Sequence, residues 1–478
     1  MHRASVCSFL FLASCSISMS RQEQVENILP TPPIEVSSQD ALDSPYFAKG
    51  DWPSENWWEI FGSEELNSLI VNVLKQNPTL QQAQARIEQA KQNAIIVGAK
   101  LYPLVYFNAS DNWEYLSKNG LYRALNPDIG LANSQIDFGL SFSYEFDFWG
   151  KYRNLYRAAL GKEQAAIAEL AQAELITTTS LAQSFFALKT NLVRKELLEN
   201  LYQVRKNYFD LQTLLLKNSL LSKLPPLLSE ERVFEAEQKI YKIDEEIALE
   251  KHLVNILAGL GPDEFLELSP DLPFLPEELA LPSSISSELL VRRPDLMAEV
   301  WRIDAIAKEV GAAKAEYWPN INIAVTPGFQ SGSWSDIFSW ASKTIGVLPG
   351  LSLPIYTAGA IGANVGVKKA LFDEAVYRYN DLILKSFAEV ADMLAVGKSV
   401  YAQKEKQTEI VQNATERYEL TLLREQKGLD SAFQVYSYLE ELIAKQLDDV
   451  QLLYSQYLVA VKLTKALGGG YVSCKETP

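Results

Sequence analysis

The sequence has few of the side chains on which metal sites and nucleophilic catalysis depend. Its 478 residues include only 2 histidines, His2 and His252, and 3 cysteines, at positions 7, 15 and 474. This scarcity argues against Cys/His zinc sites and against Ser-His-Asp catalysis. Cysteines so far apart also form no disulfide framework. The sequence therefore predicts neither an enzyme nor a bound metal or cofactor.

Long apolar runs and an excess of positive charge are missing as well. No apolar run approaches the ~18 residues that a membrane helix needs. The 44 basic and 60 acidic residues give a net charge of −16, which repels phosphate, so nucleic acid is not an expected partner. With 47% hydrophobic residues, the chain is expected to fold rather than to be disordered.

The first fifteen residues have the features of a targeting signal. A brief apolar stretch, too short to span a bilayer, suits the core of a signal peptide. It ends in Leu12-Ala13-Ser14-Cys15, which resembles the lipobox of bacterial lipoproteins, where the signal is cut before a cysteine that is then acylated, for example with palmitate. Ser16 follows, not the aspartate that often retains lipoproteins in the inner membrane, so the resemblance implies an outer-membrane address. The alternative is ordinary signal cleavage nearby.

The chain therefore divides into a predicted signal peptide, a tether, a body and a tail. Residues 1–14 are the signal peptide, and residues 15–55, which are polar and contain several prolines, are interpreted as an extended, lipid-anchored linker. An ordinary N-terminal tail would look similar. Residues 56–470 form the body, and residues 471–478 form a polar C-terminal tail.

The body is interpreted as a duplication, with halves at about 56–262 and 270–470. In each half a helical segment begins at a proline, Pro78 or Pro294, and meets a second proline 25 residues later. Each half also ends in an apolar helix that glycine terminates. Paired landmarks are offset by about 210 residues, which indicates an internal two-fold repeat.

Each half contains two strands with alternating polarity. In the clearest one the even-numbered residues from Ile136 to Phe146 are apolar, whereas the odd-numbered residues between them are small or polar. The other three strands lie near 105–113, 320–326 and 345–353. About ten alternating residues predict a transmembrane β-strand. The alternative is a half-buried sheet in a soluble protein.

A very long helical pattern follows each strand pair. Residues 151–217 and 360–427 each predict one helix, and the second would be about 100 Å long at 1.5 Å per residue. Shorter helices are expected to return over 227–258 and 432–467. No globular domain of this size covers helices of such length, so they must pack on one another and on other chains.

Closure of the sheet requires more than one chain. Four strands cannot form a barrel, and an open sheet edge cannot lie in lipid. Three chains would supply twelve strands, an even number within the usual range. The predicted fold is an α+β membrane protein, a homotrimer whose 12-stranded barrel is continuous with a long α-helical barrel.

Seven sequence motifs follow one another across nearly the whole body. They are Trp57-Trp58 with Phe61, Asn77-Pro78, and residues 143–150 (SYEFDFWG), 292–299 (RRPDLMAE), 353–359 (LPIYTAG), 389–392 (EVAD) and 466–470 (ALGGG). In this order they resemble the outer-membrane efflux family of TolC and OprM, most closely its lipoprotein branch, often labelled NodT. The resemblance implies a trimeric β-barrel in the lipid of the Gram-negative outer membrane and a helical tunnel across the periplasm.

The resemblance also implies a function and partners. The chain would be the passive exit duct of a tripartite efflux system that exports drugs or other small molecules. Its partners would be a periplasmic adaptor and an inner-membrane pump of the RND type. Two alternatives stay open: the same fold could serve type I protein secretion, or the chain could be a non-conducting periplasmic coiled-coil scaffold.

The turns at the far end of the long helices are the expected docking surface for the adaptor. They comprise Asn218 and Ser219 in the first tip, and Gly428, Leu429 and Asp430 in the second. Family members usually have glycine at the first tip. Because asparagine is the next best residue at positive φ, we expect the turn to survive with Asn218.

A second departure from the family concerns the aperture of the tunnel. Some members have aspartates two and three turns past the second tip glycine, where they line the closed aperture. This chain has Gln434 and Ser437 at the matching positions, so we expect no acidic ring. Asp430 either supplies a charge in its place or is a solvated turn residue.

Overall fold

The structure is a computed structural model that describes residues 28–264, 268–269, 271–283 and 285–472. The predicted signal peptide and most of the C-terminal tail lie outside these residues. The same holds for the lipobox, that is Leu12, Ala13, Ser14 and Cys15.

Helices and a few strands alternate along the described chain. The helices are α1 (Glu35–Leu42), α2 (Glu64–Gln76), α3 (Pro78–Gly98), α4 (Leu121–Leu125), α5 (Lys151–Lys217), α6 (Leu224–Leu257), α7 (Ile285–Arg292), α8 (Pro294–Ala315), α9 (Ala360–Gln426) and α10 (Ala432–Ala466). The strands are β1 (Phe47–Lys49), β2 (Leu104–Tyr115), β3 (Ala132–Phe146), β4 (Leu279–Leu281), β5 (Asn320–Ser331) and β6 (Lys343–Ser352).

The four predicted long strands are confirmed and form one antiparallel sheet. Their order is β2-β3-β5-β6, so the β3–β5 pair joins the two halves of the chain. The strands contain 10 to 15 residues each, which is long enough to cross a bilayer at a tilt. Within the described residues, the outer edges of β2 and β6 pair with no further strand.

The two predicted long helices are confirmed almost to the residue. α5 and α9 have 67 residues each, a length of about 100 Å. Each begins directly after a glycine in the left-handed region, Gly150 at φ 76° and Gly359 at φ 84°. Glycine adopts this conformation at no steric cost, so the chain can turn sharply from strand into helix.

The shorter helices stack end to end beside the long ones. α6 and α3 form one column, in which Asn77 Nδ2 donates to the Leu257 carbonyl oxygen at 2.7 Å. α10 and α8 form another, in which Arg293 Nη1 donates to the Ala466 carbonyl oxygen at 3.1 Å. α5 packs against both columns, and α9 packs against the second. The result is a layer with α3 and α6 along one flank and α9 along the other.

The main hydrophobic core lies about midway along the long helices. A 3₁₀ turn, Trp57–Phe61, inserts aromatic rings between α5 and α10. Phe186 stacks on Tyr457 with ring centroids 4.3 Å apart, and Phe61 meets Phe186 edge-on at 4.8 Å. Burial of such large rings stabilises the place where the stacked helices meet.

The prediction of an extended linker is wrong for the part of that segment which the structure describes. Residues 28–50, which we call the strap, form α1 and β1 and lie along α9. β1 pairs in parallel with β4, and Ile34 and Phe47 are buried in the core. The strap folds because these few apolar side chains reach a helix face that is distant in sequence.

The internal two-fold repeat stays a prediction. The order of elements supports it, since each half has a short helix, two strands, a 67-residue helix and a return helix. None of the helices in the described residues is both long and apolar enough to cross a membrane.

Candidate functional site

One face of the four-stranded sheet is apolar from edge to edge. The register places Phe107 opposite Leu140, and Phe138 opposite Phe329. Many of these side chains are exposed in the single chain, for example Phe107 at 66%. A soluble monomer rarely exposes so large an apolar surface, so this face requires lipid or another apolar cover.

The opposite face of the sheet is polar. Asn108 donates to Ser141 Oγ at 3.0 Å, and Gln330 donates to Asp137 Oδ1 at 2.8 Å. Small residues such as Gly139 lie between these pairs. An apolar face backed by a polar face is the arrangement of a barrel with a lipid-facing exterior and a wet interior.

Aromatic side chains are concentrated at both ends of the strands. At the end next to the helices, Trp149 and Trp318 stack at 5.0 Å, and Trp149 Nε1 donates to the Pro319 carbonyl oxygen at 2.7 Å. At the other end, Trp334 and Trp340 lie in the loop between β5 and β6. Two aromatic girdles separated by an apolar band are typical of a membrane-spanning sheet.

The two predicted tips lie together at the opposite end of the molecule. Tyr208 lies near the end of α5 and Phe433 near the start of α10, and the centroids of their rings are 5.1 Å apart. Leu220 and Leu429 are each the first residue after the tight turn, and they are 72% and 64% exposed. The tips therefore present matching apolar side chains to solvent.

The expected positive φ at Asn218 is wrong. Asn218 has φ −89°, and its side-chain Nδ2 donates to the Leu214 carbonyl oxygen at 2.8 Å. The left-handed residue is instead Ser219, at φ 56°. The left-handed residue is therefore one position later than the preference for asparagine suggested, and the Asn218 side chain instead satisfies a terminal carbonyl group of the helix.

The second tip has the expected glycine and the same hydrogen-bond pattern. Gly428 has φ 72°, and the N–H of Leu429 donates to the Arg424 carbonyl oxygen at 2.9 Å. In the first tip the N–H of Leu220 donates to the Leu215 carbonyl oxygen, also at 2.9 Å. Both turns are Schellman motifs, so Ser219 is the structural counterpart of Gly428.

Asp430 is not a solvated turn residue. Arg424 donates to both of its carboxylate oxygens, at 2.7 and 3.1 Å, and the Asp430 side chain is only 15% exposed. These hydrogen bonds hold the pKa of Asp430 below its usual value. The charge is therefore paired within the chain. Sequence reasoning missed Arg424, whose only signal was a cation six residues before an aspartate across a turn.

The two candidate aperture residues both lie exposed on α10. Gln434 lines a groove of about 430 Å³ between α9 and α10, together with Asp430. Ser437 lies one turn further along the helix. Arg417 also lines the groove, and it pairs with Glu441 at 2.6 Å. In the described chain the structure thus brings Gln434 next to Asp430 and places Ser437 beyond them.

Ion pairs join neighbouring helices to one another, both near the tips and near the sheet. Arg205 of α5 binds Glu440 of α10 at 2.6 Å and Glu235 of α6 at 3.2 Å. Nearer the sheet, Glu309 of α8 accepts from Lys162 of α5 and Lys368 of α9. No cluster of three or more His, Cys, Asp or Glu side chains suited to a metal occurs in the part of the chain that the structure describes.

Comparison with known proteins gives a consistent result. The sequence pattern of the family described as "Outer membrane efflux protein" matches residues 69–215 and 285–469, which is more than half of the chain. One similar protein is the multidrug resistance outer membrane protein MdtP of Escherichia coli strain K12. It is 26% identical over 436 residues, which cover 90% of this chain and 89% of MdtP.

Solved structures share the same architecture. The outer membrane protein VceC from Vibrio cholerae superposes with a TM-score of 0.78 at 29% identity, covering 88% of this chain and 100% of VceC. The Campylobacter jejuni CmeC outer membrane channel superposes with a TM-score of 0.84 at 23% identity, covering 91% of this chain and 92% of CmeC. The second likeness concerns the fold alone.

Proposed function

The chain belongs to the outer membrane efflux protein family, and from this membership we propose that it forms a trimeric exit duct for drugs or other small molecules. The family is one of efflux channels and not of enzymes. The protein is located in the outer membrane, with its helices in the periplasm. The similar proteins named as multidrug resistance proteins support drugs as the cargo.

The observation that carries this proposal is the sheet with two open edges. In the described chain, the outer edges of β2 and β6 leave backbone N–H and C=O groups without a partner strand. The apolar face of the same sheet is suited to lipid. Such edges are costly in a bilayer unless they pair. Three copies joined β6 to β2 would close a 12-stranded barrel and leave no edge.

The helical layer supports the same closure. Its flank on α6 exposes apolar residues that include Phe234 at 60% and Tyr241 at 66%, and its flank on α9 exposes Leu384 and Ile410. Packing α6 of one copy against α9 of the next would cover both flanks and enclose a tunnel. The purified protein should therefore have about three times the mass of the mature chain by light scattering. A monodisperse monomer would contradict closure by trimerisation.

The tips are proposed as the docking surface for a periplasmic adaptor, which would link the duct to an inner-membrane pump of the RND type. Leu220 and Leu429 supply exposed apolar contacts there, next to Asn218, Ser219 and Gly428. A photo-cross-linker at Leu429 should capture the adaptor. The same probe at Lys385, exposed midway along α9, should not, and equal capture at both positions would argue against docking at the tips.

The course of the strap supports acylation of Cys15. The Leu29 N–H donates to Asn380 Oδ1 at 3.1 Å, and Asn380 lies about 30 Å along α9 from Gly359, at 1.5 Å per residue. The chain between Cys15 and Leu29 can extend to about 45–50 Å. A lipid on Cys15 can therefore reach the inner leaflet of the outer membrane. Cys15→Ala should abolish palmitate incorporation without preventing membrane insertion, and persistent labelling would refute the lipobox assignment.

A further inference from the structure

The loop between β5 and β6 folds down over the apolar face of the sheet. The rings of Trp334 and Phe338 pack against the ring of Phe138 in β3, with ring centroids 5.9 and 5.6 Å apart. Trp334 Nε1 also donates to Asp111 Oδ2 of β2 at 3.0 Å, which satisfies a carboxylate on this largely apolar face. The loop is thus held in place across the sheet by packing and by hydrogen bonding.

An apolar groove of about 750 Å³ lies beside this loop. Its walls are formed mainly by Phe107, Phe138, Phe329, Phe338 and Ile345. The groove exists because the pairing of β3 with β5 is interrupted. The register passes from Gly139 opposite Gly328 to Phe142 opposite Val325, and Pro327, which lies between them, has no N–H to donate.

A single cation lines this groove. Lys343 pairs with Phe329 in the sheet, so its side chain belongs to the apolar face, and its ammonium group lies over the ring of Trp340. Among the residues that the structure describes, Lys343 contacts the Trp340 ring and forms no ion pair. A long basic side chain at the edge of an apolar surface places its charge at the level of lipid headgroups.

The groove lies at the end of the β5–β6 pair that is away from the helices, where Lys343 is level with Phe138 of β3. The helices leave the sheet at the other end of the strands, and they occupy the periplasm, so the loop at 332–342 faces the cell exterior. Apolar walls suit an acyl chain, and a cation without a carboxylate partner suits an anionic headgroup.

We propose that this groove binds an acyl chain of an anionic lipid in the outer leaflet, with Lys343 at the lipid headgroup. The inference rests on the proposed placement of the sheet in the outer membrane. The proposal gives the loop between β5 and β6 a role in lipid binding, which is separate from transport through the barrel. The groove lies on the face of the sheet and reaches both edge strands, through Phe107 of β2 and Ile345 of β6. In the proposed trimer the neighbouring copies would pair with the backbone edges of these strands, which leaves the face itself open to lipid.

Native mass spectrometry of the purified trimer tests the proposal. The probes are dilauroylphosphatidylglycerol, which is anionic, and dilauroylphosphatidylcholine, which has the same acyl chains and no net charge. The wild type should retain up to three molecules of the anionic lipid per trimer, and at least fivefold more of it than of the neutral lipid. Equal retention of the two lipids would overturn the proposal.

Three variants separate the charge from the apolar walls. Lys343→Gln should abolish the preference for the anionic lipid, whereas Lys118→Gln, which removes an exposed cation from the other external loop, should leave it unchanged. Phe338→Ser should reduce retention of both lipids. Equal effects of the two lysine variants would contradict a specific site.

Channel conductance of the same samples distinguishes a failure of the lipid site from a failure of the proposed function. A conducting trimer that retains no anionic lipid contradicts only the lipid site. A protein that forms no conducting trimer contradicts the proposed function and the lipid site together.

Discussion

At the residue scale, single side chains decide how the tips and the helical layer are held. Ser219 adopts the left-handed conformation that glycine adopts at Gly428, and Asp430 is held by Arg424. Neither feature follows from local preference. Asparagine tolerates positive φ better than serine does, yet the side chain of Asn218 caps the helix and moves the turn one residue onward.

The first tip should become more stable when Ser219 is replaced by glycine. The left-handed conformation costs a residue with Cβ roughly 1–2 kcal/mol, and the extra freedom of glycine in the unfolded chain offsets part of that gain. A net gain of about 0.5–1 kcal/mol should slow hydrogen exchange at the Leu220 amide about two- to fivefold. Asn218→Gly should speed it, because the bond to Leu214 is lost. Slower exchange in Asn218→Gly than in Ser219→Gly would contradict this account.

Glu309 should make the stability of the helical layer depend on pH. Burial raises the pKa of Glu309, but hydrogen bonds from Lys162 and Lys368 outweigh it and hold the pKa below its usual value of 4.5. A lowered folded-state pKa means that the stabilisation is fully present above about pH 4.5 and is lost as the pH falls through the lower folded-state value.

Glu309→Gln should therefore lower the thermal midpoint at pH 7 by a few degrees, roughly 2–4 °C per kcal/mol lost. The gap from the wild type should close in acid, where Glu309 is protonated in both states. Asp304→Asn, on the same helix, removes only an exposed pair with Lys308 and should change little at either pH. A gap that persists unchanged in acid would show that the ion pairs are not its cause.

At the scale of elements, the sequence predicts the long helices and strands in which apolar residues recur at a regular spacing. The bounds of α5 and α9 could be placed because the apolar pattern continues at helical spacing without proline. The strands followed from alternation. The strap could not be predicted, because its fold depends on a few apolar contacts, such as Phe47 beside Gly397 of α9, that join distant parts of the chain.

The two faces of the sheet should respond differently to charge. Val325 lies on the apolar face, opposite Val347, whereas Thr326 lies on the polar face, opposite Gly346. Arginine on the lipid-facing side near the bilayer centre costs about 2–4 kcal/mol. Val325→Arg should therefore sharply reduce the yield of membrane-inserted trimer, and Thr326→Arg should not. Equal yields of the two variants would contradict the assignment of the faces.

At the scale of the whole molecule, the exposed apolar surfaces have three proposed kinds of cover: copies of the same chain, lipid and, at the tips, an adaptor. The sheet edges and the α6 and α9 flanks would be covered by copies of the same chain, and the apolar face by lipid. Export is therefore proposed to be a property of the trimer, since one chain by itself has an open sheet. The candidate site is accordingly a path that runs from the tips to the external loops.

Single-channel recording in planar lipid bilayers tests this central claim most directly. Purified trimer should produce discrete conductance steps, because the polar face of the sheet would line a water-filled passage. The Val325→Arg protein, prepared in the same detergent, should produce few or no insertions and serves as the matched control. Wild-type trimer that inserts into the bilayer and never conducts would contradict the exit duct and favour a non-conducting scaffold.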